Sequence, residues 1–324
     1  MPAGKDSFEI TTSRYTRADN DGNAGLGLLC VATYTVLWTC SCLSPVLIFM
    51  LAYTRRLVAL ACVIGCLSLC YIPFAGPVTC VRRFYARWAP TYFKSYSLTF
   101  EGEHGPNHSS AKPTLFAFHP HGIFSMGWGL ALLQKEFDGT YACVSSTLLA
   151  SPIFRLFMNL TSGFSSAVDK DSLQRLMSRR VASMALLPGG FEEATLHSSS
   201  GPDRAYIKSR FGFIKLALQH GYQVRAVYTL GERHTFHNLQ GFWRLRFWLN
   251  QLGVPAIVPL GRDFCPLVAR PDAEIRTFVS RPLKLPCIPN PSRQDVAKWH
   301  AQYVSLLQDL HARHRGQEAE LEVW

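Results

Sequence analysis

The chain has 324 residues, 48% hydrophobic and only 17% charged, which excludes a mostly disordered protein and supplies apolar sequence for a sizeable core. Its net charge of +11 and pI near 9.3 suit a phosphate-rich ligand or an anionic membrane surface. Nucleic acid is a poor fit, because there is no Cys/His finger spacing, aromatic RNP-like run or dense Lys/Arg block.

Residues 1–23 are polar and mixed in charge. With no basic segment ahead of a short apolar core, they are expected to be a loose tail and not a cleaved signal. Ala24 to Tyr53 carries no charge, Thr54-Arg55-Arg56 interrupts, and a second uncharged run extends from Leu57 to Val81. Each run exceeds the ~20 residues that cross a bilayer core. Residues 24–81 are therefore expected to form a hairpin of two helices, about 24–53 and 57–81, either transmembrane or re-entrant. Pro45, Pro73 and Pro77 would kink or end them. Arg82, Arg83, Arg87 and Lys94 follow at once, which puts the remaining domain, 82–324, on the cytosolic side. Seven of the ten cysteines lie between Cys30 and Cys80, with Cys62, Cys66 and Cys70 on one helix face. They read as apolar thiols, since no metal-ligand set or disulfide framework accompanies them. The soluble part is expected to face a reducing compartment.

Beyond about residue 95, short apolar runs alternate with helical patterns. Strands are expected at 114–118, 141–146, 181–187, 223–229, 256–259 and 275–279. Helices are expected at 123–135, 152–159, 171–180, 211–220, 242–252 and 292–313. Alternation of this kind predicts an α/β domain with a central, mostly parallel or mixed sheet.

Two segments at strand ends stand out chemically. Phe118-His119-Pro120-His121-Gly122 places two histidines where α/β sheets present catalytic groups, and histidine suits proton abstraction near neutral pH. Leu187-Pro188-Gly189-Gly190-Phe191-Glu192-Glu193 offers backbone N–H groups for an oxyanion, with Gly122 as a further candidate. Its carboxylate could orient a histidine. Either segment taken alone could equally be a satisfied turn. Lys208, Arg210 and Lys215 surround a glycine at a helix start and would suit phosphate. There is no GxSxG elbow around Ser125, and no HExxH, Walker or GxGxxG pattern. His234 and His237, near Glu232, lack a second cluster to complete a metal site.

In order, the apolar pair, FHPHG, PGGFEEA, KSRFGFIKLALQHG and YTLGE closely resemble the type 2 diacylglycerol acyltransferase family, which includes monoacylglycerol and wax-alcohol acyltransferases. The resemblance extends over roughly residues 24–324. It matches His119, Pro120, His121 and Gly122 to the active-site motif, and Gly189, Gly190 and Glu193 to GGxxE. Arg210, Gly212, Phe213, Ala217 and Gly221 match the helix motif, and Gly231 and Glu232 the element ending in GE. Lys94, Leu230, Arg225-Ala226-Val227 and Ser280-Arg281-Pro282 depart from the common pattern.

The resemblance implies a membrane-anchored acyltransferase of the endoplasmic reticulum and lipid droplets, multi-pass with a cytosolic catalytic domain. It needs no metal or bound cofactor and uses acyl-CoA as co-substrate. The implied acceptor is diacylglycerol or a related lipid alcohol, the implied surroundings membrane lipids, and a homo-oligomer is compatible. His121 is then the expected general base, with Glu193 holding its imidazole and His119 positioning the loop or the thioester. Rival readings are a monoacylglycerol or wax-alcohol transferase, a lipid hydrolase using Ser125, and a non-catalytic droplet hairpin protein.

Overall fold

The computed structural model describes residues 10–16, 24–40, 44–72, 76–102, 112–180, 182–252, 256–263, 265–317 and 319–324. The remainder of the expected N-terminal tail, Pro73 and Val181 lie outside them. Eight strands form one mixed sheet: β1 (Ile10–Thr16), β2 (Ser95–Glu101), β3 (Thr114–His119), β4 (Tyr141–Val144), β5 (Ser165–Ala167), β6 (Met184–Leu186), β8 (Gln223–Leu230) and β11 (Glu274–Val279). Their order is β1-β2-β11-β8-β3-β6-β4-β5. From β8 to β5 all neighbours are parallel, while β11 runs antiparallel to β8 and β1 antiparallel to β2. Ile10–Thr16, expected in the tail, is thus an edge strand. Two small ribbons complete the β structure. One joins β7 (Asp203–Ala205) to β12 (Leu321–Val323), the other β9 (His237–Asn238) to β10 (Pro259–Leu260).

The period of two along a strand sends alternate side chains to opposite faces. On β3, Phe116 and Phe118 enter one core and Leu115 and Ala117 the other. The first core is covered by α1 (Ala24–Cys40), α4 (Thr79–Trp88), α5 (Met126–Leu133) and α7 (Pro152–Thr161), joined to β4 through α6 (Ser146–Ala150). The second is covered by α8 (Lys170–Ser178), α10 (Gly212–His220) and α12 (Arg293–His314). Local chemistry sets several ends. Asp169 caps α8 through the Ser172 N–H, Ser292 and Asp295 form a capping box on α12, and Gly221 at φ 69° stops α10.

The expected membrane hairpin is overturned. The first uncharged run divides into α1 and α2 (Ser44–Tyr53), and the second into α3 (Leu57–Leu69) and the start of α4. At ~1.5 Å per residue, α2 and α3 rise only about 15 and 20 Å, against a ~30 Å hydrocarbon core. Among the described residues no helix is long and apolar enough to cross a membrane. The longer α1 is a core helix. It buries Cys30, Val31, Tyr34 and Thr35, and Gly27 lets it close on the Tyr92 backbone and the Thr91 side chain. A helix apolar on all sides reads alike whether protein or lipid surrounds it, and here protein covers one face while Leu29 and Val36 stay exposed on the other. By contrast, α2 and α3 expose Phe49, Met50, Tyr53, Leu57, Val58 and Leu69.

Candidate active site

Three neighbouring parallel strands, β6, β3 and β8, end on the same side of the sheet. β3 delivers His119-Pro120-His121-Gly122, β6 delivers Leu187-Pro188-Gly189-Gly190, and β8 delivers Gly231-Glu232. The turn after β6 opens α9 (Gly190–Leu196), so the expected turn carboxylate sits on the first helical turn. A carboxylate is favourable there beside the helix N-terminus.

Glu193 is fully buried and is the hub of the site. Its Oε1 accepts from the His121 backbone N–H at 2.8 Å, its Oε2 from the Tyr206 N–H at 3.0 Å, and both oxygens lie 3.1–3.2 Å from His119 Nδ1. The other nitrogen of His119 lies 3.0 Å from the Tyr303 hydroxyl on α12. Burial and the nearby Glu193 push the Tyr303 phenol well above its ordinary value, so it remains a donor. The tautomer that satisfies every partner has His119 Nδ1–H donating to Glu193 and Nε2 accepting from Tyr303. This corrects the expected role of Glu193, which reaches the imidazole of His119 and only the backbone of His121. Gly189 makes that approach possible, since a Cβ there would stand 1.8 Å from Glu193 Oε2.

His121 is half-buried, and its Nδ1 lies 2.9 Å from the Gly122 carbonyl. An acceptor at that distance calls for a proton on Nδ1 and leaves the Nε2 lone pair unprotonated. Burial lowers the His121 pKa below 6.5, opposed by the Gly122 hydrogen bond and by Glu193, so the ring is neutral near pH 7. Ser125 is buried, and its Oγ donates to the His121 carbonyl at 2.7 Å, lying 3.4 Å from Nδ1. A buried hydroxyl committed to a carbonyl is a poor nucleophile, which disfavours the hydrolase reading.

Glu232 plays a part that residue pattern alone did not suggest. Its two oxygens accept from the Met126 and Gly127 N–H groups at 2.9 and 2.7 Å, holding the start of α5, where Ser125 supplies no side-chain cap. The carboxylate also packs on Gly122, whose Cβ would stand 2.3 Å from Oε1. Burial raises its pKa from 4.5 to about 7, against the pull of the two backbone hydrogen bonds. The Met126 and Gly127 amides, which would otherwise suit an oxyanion, are therefore taken. Tyr34 on α1 closes the loop from above, donating to the Phe124 carbonyl at 2.9 Å.

The Gly190 N–H is also committed, to the Leu187 carbonyl at 3.3 Å, which removes it from the oxyanion candidates and leaves Gly122 and Gly189. Of the three expected phosphate ligands, Arg210 reaches the α9 turn, pairing with Glu192 at 2.5 Å and lying over the Tyr206 ring. Lys208 and Lys215 are exposed. Among the described residues no three His, Cys, Asp or Glu side chains are grouped to hold a metal.

A family model described as diacylglycerol acyltransferase matches residues 71–322. Diacylglycerol O-acyltransferase 2 of Bos taurus is 28% identical over 222 residues, covering 62% of this chain and 60% of that protein. The protein of the same name from Dictyostelium discoideum is 30% identical over 253 residues, covering 71% of this chain and 74% of its own length. The match to the human protein spans 56% of its length, so the chain covers little more than half of several relatives. Among solved structures, a 1-acyl-sn-glycerophosphate acyltransferase from Thermotoga maritima superposes with a TM-score of 0.41 and 10% identity, covering 90% of this chain and 99% of that one. The family match takes in the strand ends that converge on Glu193, and the chain belongs to the diacylglycerol acyltransferase family.

Proposed function

We propose that the protein transfers a fatty acyl group from acyl-CoA to a lipid hydroxyl, with 1,2-diacylglycerol as acceptor and triacylglycerol and CoA as products. The observation that carries this reading is the pair of histidines with divided tasks. Both nitrogens of His119 are occupied, whereas His121 is neutral with Nε2 unprotonated. In the proposed reaction His121 Nε2 takes the hydroxyl proton as the lipid oxygen attacks the thioester carbonyl. The C–S bond then breaks, and the imidazolium returns its proton to the leaving sulfur. With an ordinary thiol pKa around 8.5, that leaving group needs little acid assistance, and no covalent acyl-enzyme is required. Glu193 holds the His121 backbone and offsets the positive charge that develops on the ring. The Gly122 and Gly189 amides are the candidates for the oxyanion, and Arg210 for a CoA phosphate.

Both acyl chains confine the substrates to a lipid surface, and the apolar side chains exposed on α2 and α3 suit contact with one. The reading places the enzyme on endoplasmic reticulum or droplet lipid. The test is purified full chain with labelled acyl-CoA and a panel of diacylglycerol, monoacylglycerol and long-chain alcohol. Triacylglycerol should be the main product. A tenfold preference for either other acceptor would reassign the chain to a sister activity, and release of free fatty acid alone would reject transfer.

A further inference from the structure

The helix α11 (Trp243–Gln251) is built inside out. Its buried residues are Arg246 and Asn250, one turn apart. Arg246 donates from Nε to the Ala256 carbonyl at 2.7 Å, from Nη1 to the Leu239 carbonyl at 2.6 Å and from Nη2 to Asn238 Oδ1 at 3.1 Å. Asn250 donates to Thr195 Oγ1 at 2.8 Å and to the Phe191 carbonyl at 3.3 Å, and accepts from the Ala256 N–H. The opposite face carries Leu245, Trp248 and Leu252, at helical spacing and 53%, 53% and 60% exposed. Phe242, just ahead of the helix, is 78% exposed and held at φ 53°, a conformation that bulky residues rarely adopt. The neighbouring β9–β10 ribbon extends the apolar surface with exposed Leu239, Val258 and Leu260.

A helix folding for its own stability would bury the leucines and the tryptophan and expose the arginine. Here the polar face is fixed inward by hydrogen bonds and the apolar face is left outward. From these observations we infer that the outer face of α11, with Phe242 and the β9–β10 ribbon, docks onto an anionic phospholipid surface. Charge supports lipid over a second copy of the chain. Residues 233–262 contain no Asp or Glu, and Arg244 is exposed on the apolar face beside Leu245. Tryptophan and arginine at the rim of an apolar face suit a headgroup boundary. At nine residues, α11 lies along such a boundary and does not cross it. Through Asn250 it is tied to α9, which carries Glu193, so docking sets the histidine site at the lipid surface. This surface is separate from α2 and α3, and its existence does not depend on the proposed reaction.

The experiment places a photo-reactive phenylalanine at position 245, or at position 248 as a second variant, in the full chain. A control carries it at position 298, an exposed site on α12. The chains are irradiated on phosphatidylcholine vesicles with or without phosphatidylglycerol. The expected result is a covalent lipid adduct at 245 and 248, with at least about threefold more on the anionic vesicles, and only background at 298. Because α2 and α3 can hold any variant near a vesicle, labelling at 245 and 248 equal to that at 298 would overturn the inference. So would a covalent dimer in place of the lipid adduct. Adduct formation needs no turnover, so this outcome stands whether or not the acyltransferase assay succeeds.

Discussion

Replacing Glu193 by glutamine conserves shape and removes one acceptor from a site with three buried donors. The carboxylate receives the His121 N–H, the Tyr206 N–H and His119 Nδ1–H. A glutamine oxygen can stand in for Oε1 or Oε2, and its amide nitrogen then faces a donor, either Tyr206 N–H or His121 N–H. Stranding one buried donor costs about 1–3 kcal/mol, and the bonds that remain lose their charge assistance, so the sum is about 2–5 kcal/mol. Against a typical stability of about 5–15 kcal/mol, that lowers the melting temperature of a chain of this length by roughly 3–7 °C. Turnover should fall at least about tenfold, because the same carboxylate fixes the backbone of the general base. Glu192→Gln is the control. Its partner Arg210 is partly exposed, and such pairs contribute about 0–1 kcal/mol. The assay is thermal unfolding and initial rates on matched preparations of both variants. Should Glu193→Gln melt within a degree or two of the parent and turn over normally, the hub role assigned to this carboxylate is wrong.

His121→Ala should lose at least about a hundredfold in turnover, and adding Glu193→Gln should barely worsen it, since the two act as a unit; multiplying losses would argue against that unit. Activity should decline as pH falls through a His121 pKa below 6.5, seen as the acid limb of a pH–rate profile; a limb above 6.5 would contradict the burial argument. Glu232 has its folded pKa raised from 4.5 to about 7. Its contribution to stability is full below pH 4.5 and is lost as pH rises through about 7. Glu232→Gln should therefore flatten melting temperature against pH in that window, and an unchanged slope would place the titration elsewhere. Gly127→Ala brings a Cβ to 2.4 Å from the Thr229 side chain, whereas Gly25 meets nothing within 4 Å. The first should destabilise by about 1–3 kcal/mol and the second be neutral or slightly stabilising, as chemical denaturation would report.

The sequence by itself determined what is local. Runs such as Thr114–Phe118 and Gln223–Thr229 are β-branched and aromatic enough to be strands, and β3 and β8 extend each by a single residue. Ser292 and Gly221 mark helix ends because capping and left-handed turns depend on the residues at hand. The pairing of FHPHG with PGGFEE into one site was also legible, since both follow strands and strand ends collect on one side of a parallel sheet. Tertiary structure alone decided which groups meet there. Glu193 lies 74 residues from His119 and Tyr303 another 110 beyond. Only the placement of β6 beside β3 and of α12 beneath them brings the carboxylate to His119 instead of His121. The same limit governs the N-terminal runs and α11. Hydropathy records that a segment avoids water, but not whether protein or lipid replaces it. Thus one face of α1 proved to be core, and α11 turned its arginine inward because three acceptors already faced that side.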